Sequence, residues 1–167
     1  MKGKKAVKIA AGLCLLIYAG YLAMMVADRT SVHGFWHEYN FVPFRSIGGY
    51  LSHWQENEMN RDIILRNLLG NLALLAPLGL LLPAFLDRWR RFGRIFCLSL
   101  FLSTLFEGFQ YVTSTGVCDI DDVILNVTGA CLGFGLYLLW ERLWEQTRAQ
   151  GEKGVREGGG LKRAKPL

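Results

Sequence analysis

The sequence predicts an all-α membrane protein: a four-helix transmembrane bundle with an interfacial outer loop and a disordered basic C-terminal tail. Three observations carry that prediction. Hydrophobic residues make up 51% of the 167 residues, and they come in blocks, without the one-sided period of a soluble helix. Four blocks, at about 6–27, 67–86, 95–114 and 120–140, approach the roughly 20 apolar residues that cross a bilayer. The basic residues, finally, sort by side if those four spans alternate.

The first block follows Lys2, Lys4, Lys5 and Lys8. A basic start before an apolar run also fits a signal peptide. The block is long, however, and Leu22–Ala27 offers no small-x-small cleavage site, so an uncleaved helix is expected. Between the second and third blocks lie Arg88, Arg90, Arg91 and Arg94; after the fourth come seven more basic residues. Together these are fifteen of the nineteen lysines and arginines, and Arg29, Arg45, Arg61 and Arg66 are left for the other side. The positive-inside rule then puts both termini in the cytoplasm. This bias and attraction to anionic headgroups account for the net charge of +5, so no nucleic-acid partner is expected. Residues 1–145 form one membrane domain in this reading, and 146–167 a disordered cytoplasmic tail.

The outer loop, 28–66, is too short for a core of its own. Its aromatic residues, among them Phe35, Trp36, Tyr39, Phe41, Phe44, Tyr50 and Trp54, suit the headgroup layer. Tyr50, Leu51 and Trp54 predict a short interfacial helix. Cys14, Cys97 and Cys131 fall within spans and Cys118 at the outer edge, with neither metal nor disulfide spacing; no metal or cofactor is expected. Pro77 and Pro83 should kink the second span, and Gly129-x-x-x-Gly133 with Gly135 should allow close helix packing.

The polar residues inside the spans carry the functional reading. Asn67 and Asn71 share a face at the outer start of the second span. Glu107 and Gln110 share one at the outer end of the third. Asp119, Asp121 and Asp122 open the fourth, with Asn126 one turn deeper. Three helices thus place polar groups in the same outer half of the bilayer, where each is costly, and a polar cup open to the outside is expected. Arg45, Arg61 and Arg66 are its natural cationic partners, with headgroup snorkelling the competing role for Arg61 and Arg66. Structural roles compete at several positions. Asp119 with Asp122 fits a helix N-cap followed by an acid at the third helical position, and the asparagines can join helices. Glu107 has no such local account. No nucleophile is paired with a base: His33, His37 and His53 all lie in the outer loop.

Several ordered motifs resemble the VanZ-like family of bacterial membrane proteins. They are Asn40-Phe-Val-Pro43-Phe44-Arg45, then Asn67-Leu-Leu-Gly70-Asn71 with Pro77-Leu-Gly79, then Glu107-Gly-Phe-Gln110, then Asp119-Ile-Asp121-Asp122-Val-Ile-Leu-Asn126-Val-Thr-Gly129. The resemblance runs from about Asn40 to Trp140. It implies a multi-pass protein of the bacterial cytoplasmic membrane, from a family whose founding member is associated with low-level resistance to the glycopeptide teicoplanin. It implies no reaction. Three classes stay open: a cup that binds a lipid headgroup or lipid-linked amphiphile, an intramembrane acid/base enzyme using Glu107 or Asp122 on a lipid phosphate or ester, and a proton-coupled transporter. Membrane lipids or lipid-linked envelope molecules are the expected partners, and a homo-oligomer stays open.

Overall fold

The structure, a computed structural model, describes the backbone of residues 2–29, 39–52, 54 and 58–161, with side-chain surroundings for 3–27, 39–52, 54 and 61–150. His33, His37, His53, Phe35 and Trp36 lie outside the described residues. Among the described residues six helices follow in order: α1 (Lys2–Arg29), α2 (Arg45–Ser52), α3 (Glu58–Leu74), α4 (Ala76–Phe85), α5 (Phe92–Thr113) and α6 (Ile120–Leu161). Two short strands, β1 (Tyr39–Asn40) and β2 (Cys118–Asp119), pair in parallel, and a 3-10 turn covers Asp87–Trp89.

Among the described residues four helical stretches are long and apolar enough to cross a membrane: Gly3–Ala27, Arg61–Phe85, Phe92–Thr113 and Ile120–Gln150. The second joins α3 to α4 across a break at Leu75. Proline explains the break. Pro77 has no N–H for the helical ladder, and its ring clashes with the carbonyl four residues back, that of Ala73. The break leaves Leu74 near the end of its ladder, and the Tyr18 hydroxyl of α1 donates to its carbonyl. The short helix expected around Tyr50 is α2, although it ends at Ser52. The expected disordered tail from 146 is corrected in its first part, because α6 continues as helix to Leu161.

α6 is the central element; α3, α4 and α5 pack on it, and α1 packs on α4. Glycine makes this approach unusually close. A Cβ built on Gly129 would lie 1.8 Å from the Leu72 carbonyl oxygen, one on Gly133 2.1 Å from that of Ala76, and one on Gly79 1.9 Å from that of Ala130. Backbone therefore touches backbone where the broken second span crosses α6, the small-residue packing that substitutes for a hydrophobic drive inside lipid. Gly135 takes no part, since a Cβ there meets nothing within 4 Å; its expected packing role is withdrawn. At and beside the crossing, Leu75, Ile95, Ala130, Phe134 and Tyr137 form the buried apolar core.

α5 presents Ile95, Ser99, Ser103 and Glu107 as its buried residues, one every fourth position and hence one face. Small serines let α5 approach α6, and the stripe ends at Glu107. At the opposite end, Lys8 meets Asp87 at 2.6 Å, and Arg90 meets Asp87 at 2.9 Å and Glu141 at 2.8 Å. The Lys8 ammonium, with Arg90 and Lys4 adding, holds the exposed Asp87 carboxyl below its usual range. The start of α1, the 3-10 turn and the middle of α6 thus gather at one end of the bundle.

Candidate functional site

At the other end, four carboxylates, those of Glu107, Asp119, Asp121 and Asp122, act as fasteners. Asp119 immediately precedes α6, and its Oδ1 accepts the Asp121 N–H at 2.9 Å, a helix N-cap bond. In the usual capping box the acid at the third helical position would return to the cap residue's own N–H. Here Asp122, which holds that position, turns instead to Asn71, whose Nδ2 donates to it. Glu107 of α5 supplies the missing acceptor, with its Oε2 2.9 Å from the Asp119 nitrogen. The capping box is thereby divided between two helices, and Glu107 acquires the structural role that sequence alone did not suggest.

Asp121 fastens a third element. Its Oδ1 accepts the Phe44 N–H, and its Oδ2 accepts those of Ser46 at 2.8 Å and Ile47 at 3.0 Å. These are orphan donors at the start of α2, satisfied by a residue 1% exposed and more than seventy positions downstream. Phe44 sits at φ 63°, the left-handed region, which turns the chain from β1 into α2. Beside it β1 pairs with β2, Tyr39 opposite Cys118 and Asn40 opposite Asp119. Asn40 Nδ2 reaches Asp119 Oδ1 at 3.1 Å and Ser46 Oγ at 3.0 Å, and the Ser46 hydroxyl donates to Asp119 Oδ2.

This framework borders an open cavity of about 900 Å³ whose walls include Tyr39, Asn40, Arg45, Ser46, Tyr50, Asn67, Gln110, Asp119, Asp122 and the 115–117 turn. Asn67 Nδ2 donates to the Tyr50 hydroxyl at 3.0 Å. Burial, which outweighs that bond, raises the Tyr50 pKa, and the three aspartates add to it. Next to it lies a second cavity of about 20 Å³, bordered by Asn71, Glu107, Gln110 and Asn126 among apolar residues of α1, α3 and α5. Asn126 is 1% exposed. Its Nδ2 donates to Ser103 Oγ at 2.9 Å, while its Oδ1 has no hydrogen-bond partner among the described residues. That volume accommodates one water molecule.

Of the residues singled out in the sequence, the structure brings together Asn67, Asn71, Glu107, Gln110, Asp119, Asp121, Asp122, Asn126 and Arg45. Arg66 does not join them. It is exposed and lines neither cavity, because one residue along α3 turns it about 100° away from the face that carries Asn67. Arg45 lines the larger cavity, and among the described residues its guanidinium forms no hydrogen bond or ion pair. Sequence reasoning placed none of Asn40, Ser46 and Ser103 in the cup. For Ser103 a signal existed in the four-residue spacing Ser99, Ser103, Glu107, and for Asn40 in its place at the head of the first family motif; for Ser46 there was none, because a contact with Asp119 across 73 positions leaves no local trace.

The arrangement bears on chemistry. Ser46 against Asp119 is a hydroxyl beside a carboxylate, where the sequence suggested no such pair. That carboxylate already accepts from Asn40, Ser46 and the α6 backbone, so three of its roughly four acceptor sites are committed to the fold. Burial, reinforced by Glu107 and Asp119, pushes the Cys118 thiol up, away from the thiolate a nucleophile requires. Among the described residues no three His, Cys, Asp or Glu side chains are grouped to hold a metal ion.

A family model described as VanZ/LLP1 matches residues 9–141, which include every wall residue of both cavities. Protein VanZ of Enterococcus faecium is 30% identical over 111 residues, covering 65% of this chain and 58% of that protein, so the chain spans under two thirds of that relative's length. No solved structure matches the chain. With a family match over most of its length and four helices fit to span a membrane, the chain is a multi-pass membrane protein that belongs to the VanZ/LLP1 family.

Proposed function

We propose that the larger cavity is an outward-facing cup that binds the head of a membrane lipid or lipid-linked envelope molecule, and that through this binding the protein modulates glycopeptide susceptibility. One observation carries the reading. A polar cavity of about 900 Å³ sits at the end of a bundle whose flanks expose large apolar residues such as Phe101, Leu105 and Val112. A molecule with a polar head and apolar chains matches both surfaces. Arg45 suits a phosphate, to which guanidinium binds in a bidentate fork; Asp122, Gln110 and Asn67 suit hydroxyls or an amine. The commitment of Asp119 and Glu107 to helix capping favours binding over acid/base chemistry.

Native mass spectrometry of the purified protein tests this. Arg45→Ala should insert and fold like wild type yet retain about tenfold less co-purifying lipid, the scale of one hydrogen-bonded charge, and a host expressing it should lose any teicoplanin tolerance the wild type confers. Identical lipid retention and tolerance in both proteins would eliminate the cup as a binding site.

The cup faces outward only if the basic end is cytoplasmic, and we place both termini on the cytoplasmic side of a bacterial cytoplasmic membrane. In a cysteine-free background, a membrane-impermeant thiol reagent applied to whole cells should label a cysteine at Ser52 and spare one at Arg91. The reverse pattern would move the cup to the inner leaflet.

A further inference from the structure

The basic end of the bundle holds a second cavity, of about 510 Å³, between the first turns of α1, the end of α4 and α6. We propose that it is a binding site for an anionic phospholipid, with the phosphate between Lys4 and Lys5 and the acyl chains running along the indoles of Trp140 and Trp144.

Charge points to the phosphate. Lys4, Lys5, Lys8 and Arg90 border the cavity together with Asp87, Glu141 and Glu145. Two of those cations are already occupied: Lys8 by Asp87, and Arg90 by Asp87 and Glu141. Lys4 and Lys5, by contrast, form no hydrogen bond or ion pair among the described residues, Lys4 acting on Asp87 only through its field, so the ammonium groups without a contact partner lie in the first turn of α1. Shape points to a lipid rather than a soluble anion. The Trp140 and Trp144 rings lie 5.8 Å apart, centroid to centroid, and Gly3 packs against Trp144, where a Cβ would come within 3.5 Å of the indole. The ammonium groups therefore stand beside an aromatic wall at the end of the apolar spans, where indoles occupy the headgroup layer. Basic pockets between spans at this level recognise lipid phosphates. The site is at the opposite end from the proposed cup and does not depend on it.

The test uses purified protein in neutral detergent, where sidedness plays no part, titrated with phosphatidylglycerol or phosphatidylcholine and followed by native mass spectrometry. Wild type should bind one phosphatidylglycerol in preference to phosphatidylcholine. The double variant Lys4→Gln/Lys5→Gln should lose roughly 25-fold in phosphatidylglycerol affinity, about fivefold per surface lysine, with phosphatidylcholine unaffected. Arg142→Gln/Arg148→Gln removes the same charge from α6 outside the cavity and should lose less than about twofold, well short of the loss from two contacting lysines. Equal affinity for the two lipids, or equal losses in the two double variants, would overturn the proposal in favour of diffuse surface attraction.

Discussion

Gly129→Val should prevent the bundle from assembling, although each span should still insert. The new Cβ would start 1.8 Å from the Leu72 carbonyl oxygen, roughly half of van der Waals contact. The obstacle is backbone rather than a flexible side chain, so no rotamer change relieves it. The helices would have to separate, and separation also loosens the neighbouring contacts of Gly79 on Ala130 and Gly133 on Ala76. Overpacking a tight core costs about 1–3 kcal/mol where neighbours can yield. Here the upper end or beyond is expected, a large share of a marginal stability. The readout is thermal unfolding in detergent: Gly129→Val should yield no cooperative transition or one lowered by well over about 10 °C, while Gly135→Ala, which meets open space, should melt like wild type. Similar melting of Gly129→Val and wild type would mean that α3 and α6 do not cross there.

Asp121→Ala should release α2 from the bundle. The carboxylate accepts the N–H groups of Phe44, Ser46 and Ile47, and alanine accepts none. Bonds to a charged acceptor contribute about 1.5–3 kcal/mol each and do not simply add, so a loss on the order of 3 kcal/mol is expected, concentrated in the outer segment. Asp121→Asn should fall between, because one amide oxygen serves in place of two carboxylate oxygens. Hydrogen exchange separates this local effect from global unfolding. Protection at Ser46 and Ile47 should disappear in the alanine variant while α5 and α6 keep theirs. Unchanged protection across α2 would show that β1 and β2 alone hold the segment.

These two positions show where sequence reasoning reached and where it stopped. The spans, the proline break and the glycine crossing were legible because each is governed by residues close in sequence: apolar run length, a missing N–H, a missing Cβ. The convergence of Asn71, Asp122, Glu107 and Asn126 was legible too, since helical period and depth in the bilayer place them without knowledge of any contact. The partners were not. Asp121 had no distinguishing mark among three neighbouring acids, yet it faces α2 while Asp122 faces α3. Which of them does so depends on the direction in which the outer segment returns over α6, and that is set by the pairing of Asn40 with Asp119. Arg66 was misjudged for the same reason: adjacency to Asn67 in the chain was read as adjacency in space.

The fastening of α2 by residues of the fourth span also dictates an order of events during synthesis. Asn40 and Asp119 are 79 positions apart, and closing so long a loop must precede any gain from the contacts it allows. When the first three spans have left the ribosome, Asn40, Ser46 and the start of α2 still lack Asp119 and Asp121. The β1–α2 segment must therefore wait, with the backbone N–H groups of Phe44, Ser46 and Ile47 lacking these acceptors, until the last span arrives. A nascent chain arrested after Thr113 should hold a membrane-inserted precursor without a cup, and the cup becomes a mark of completed biogenesis.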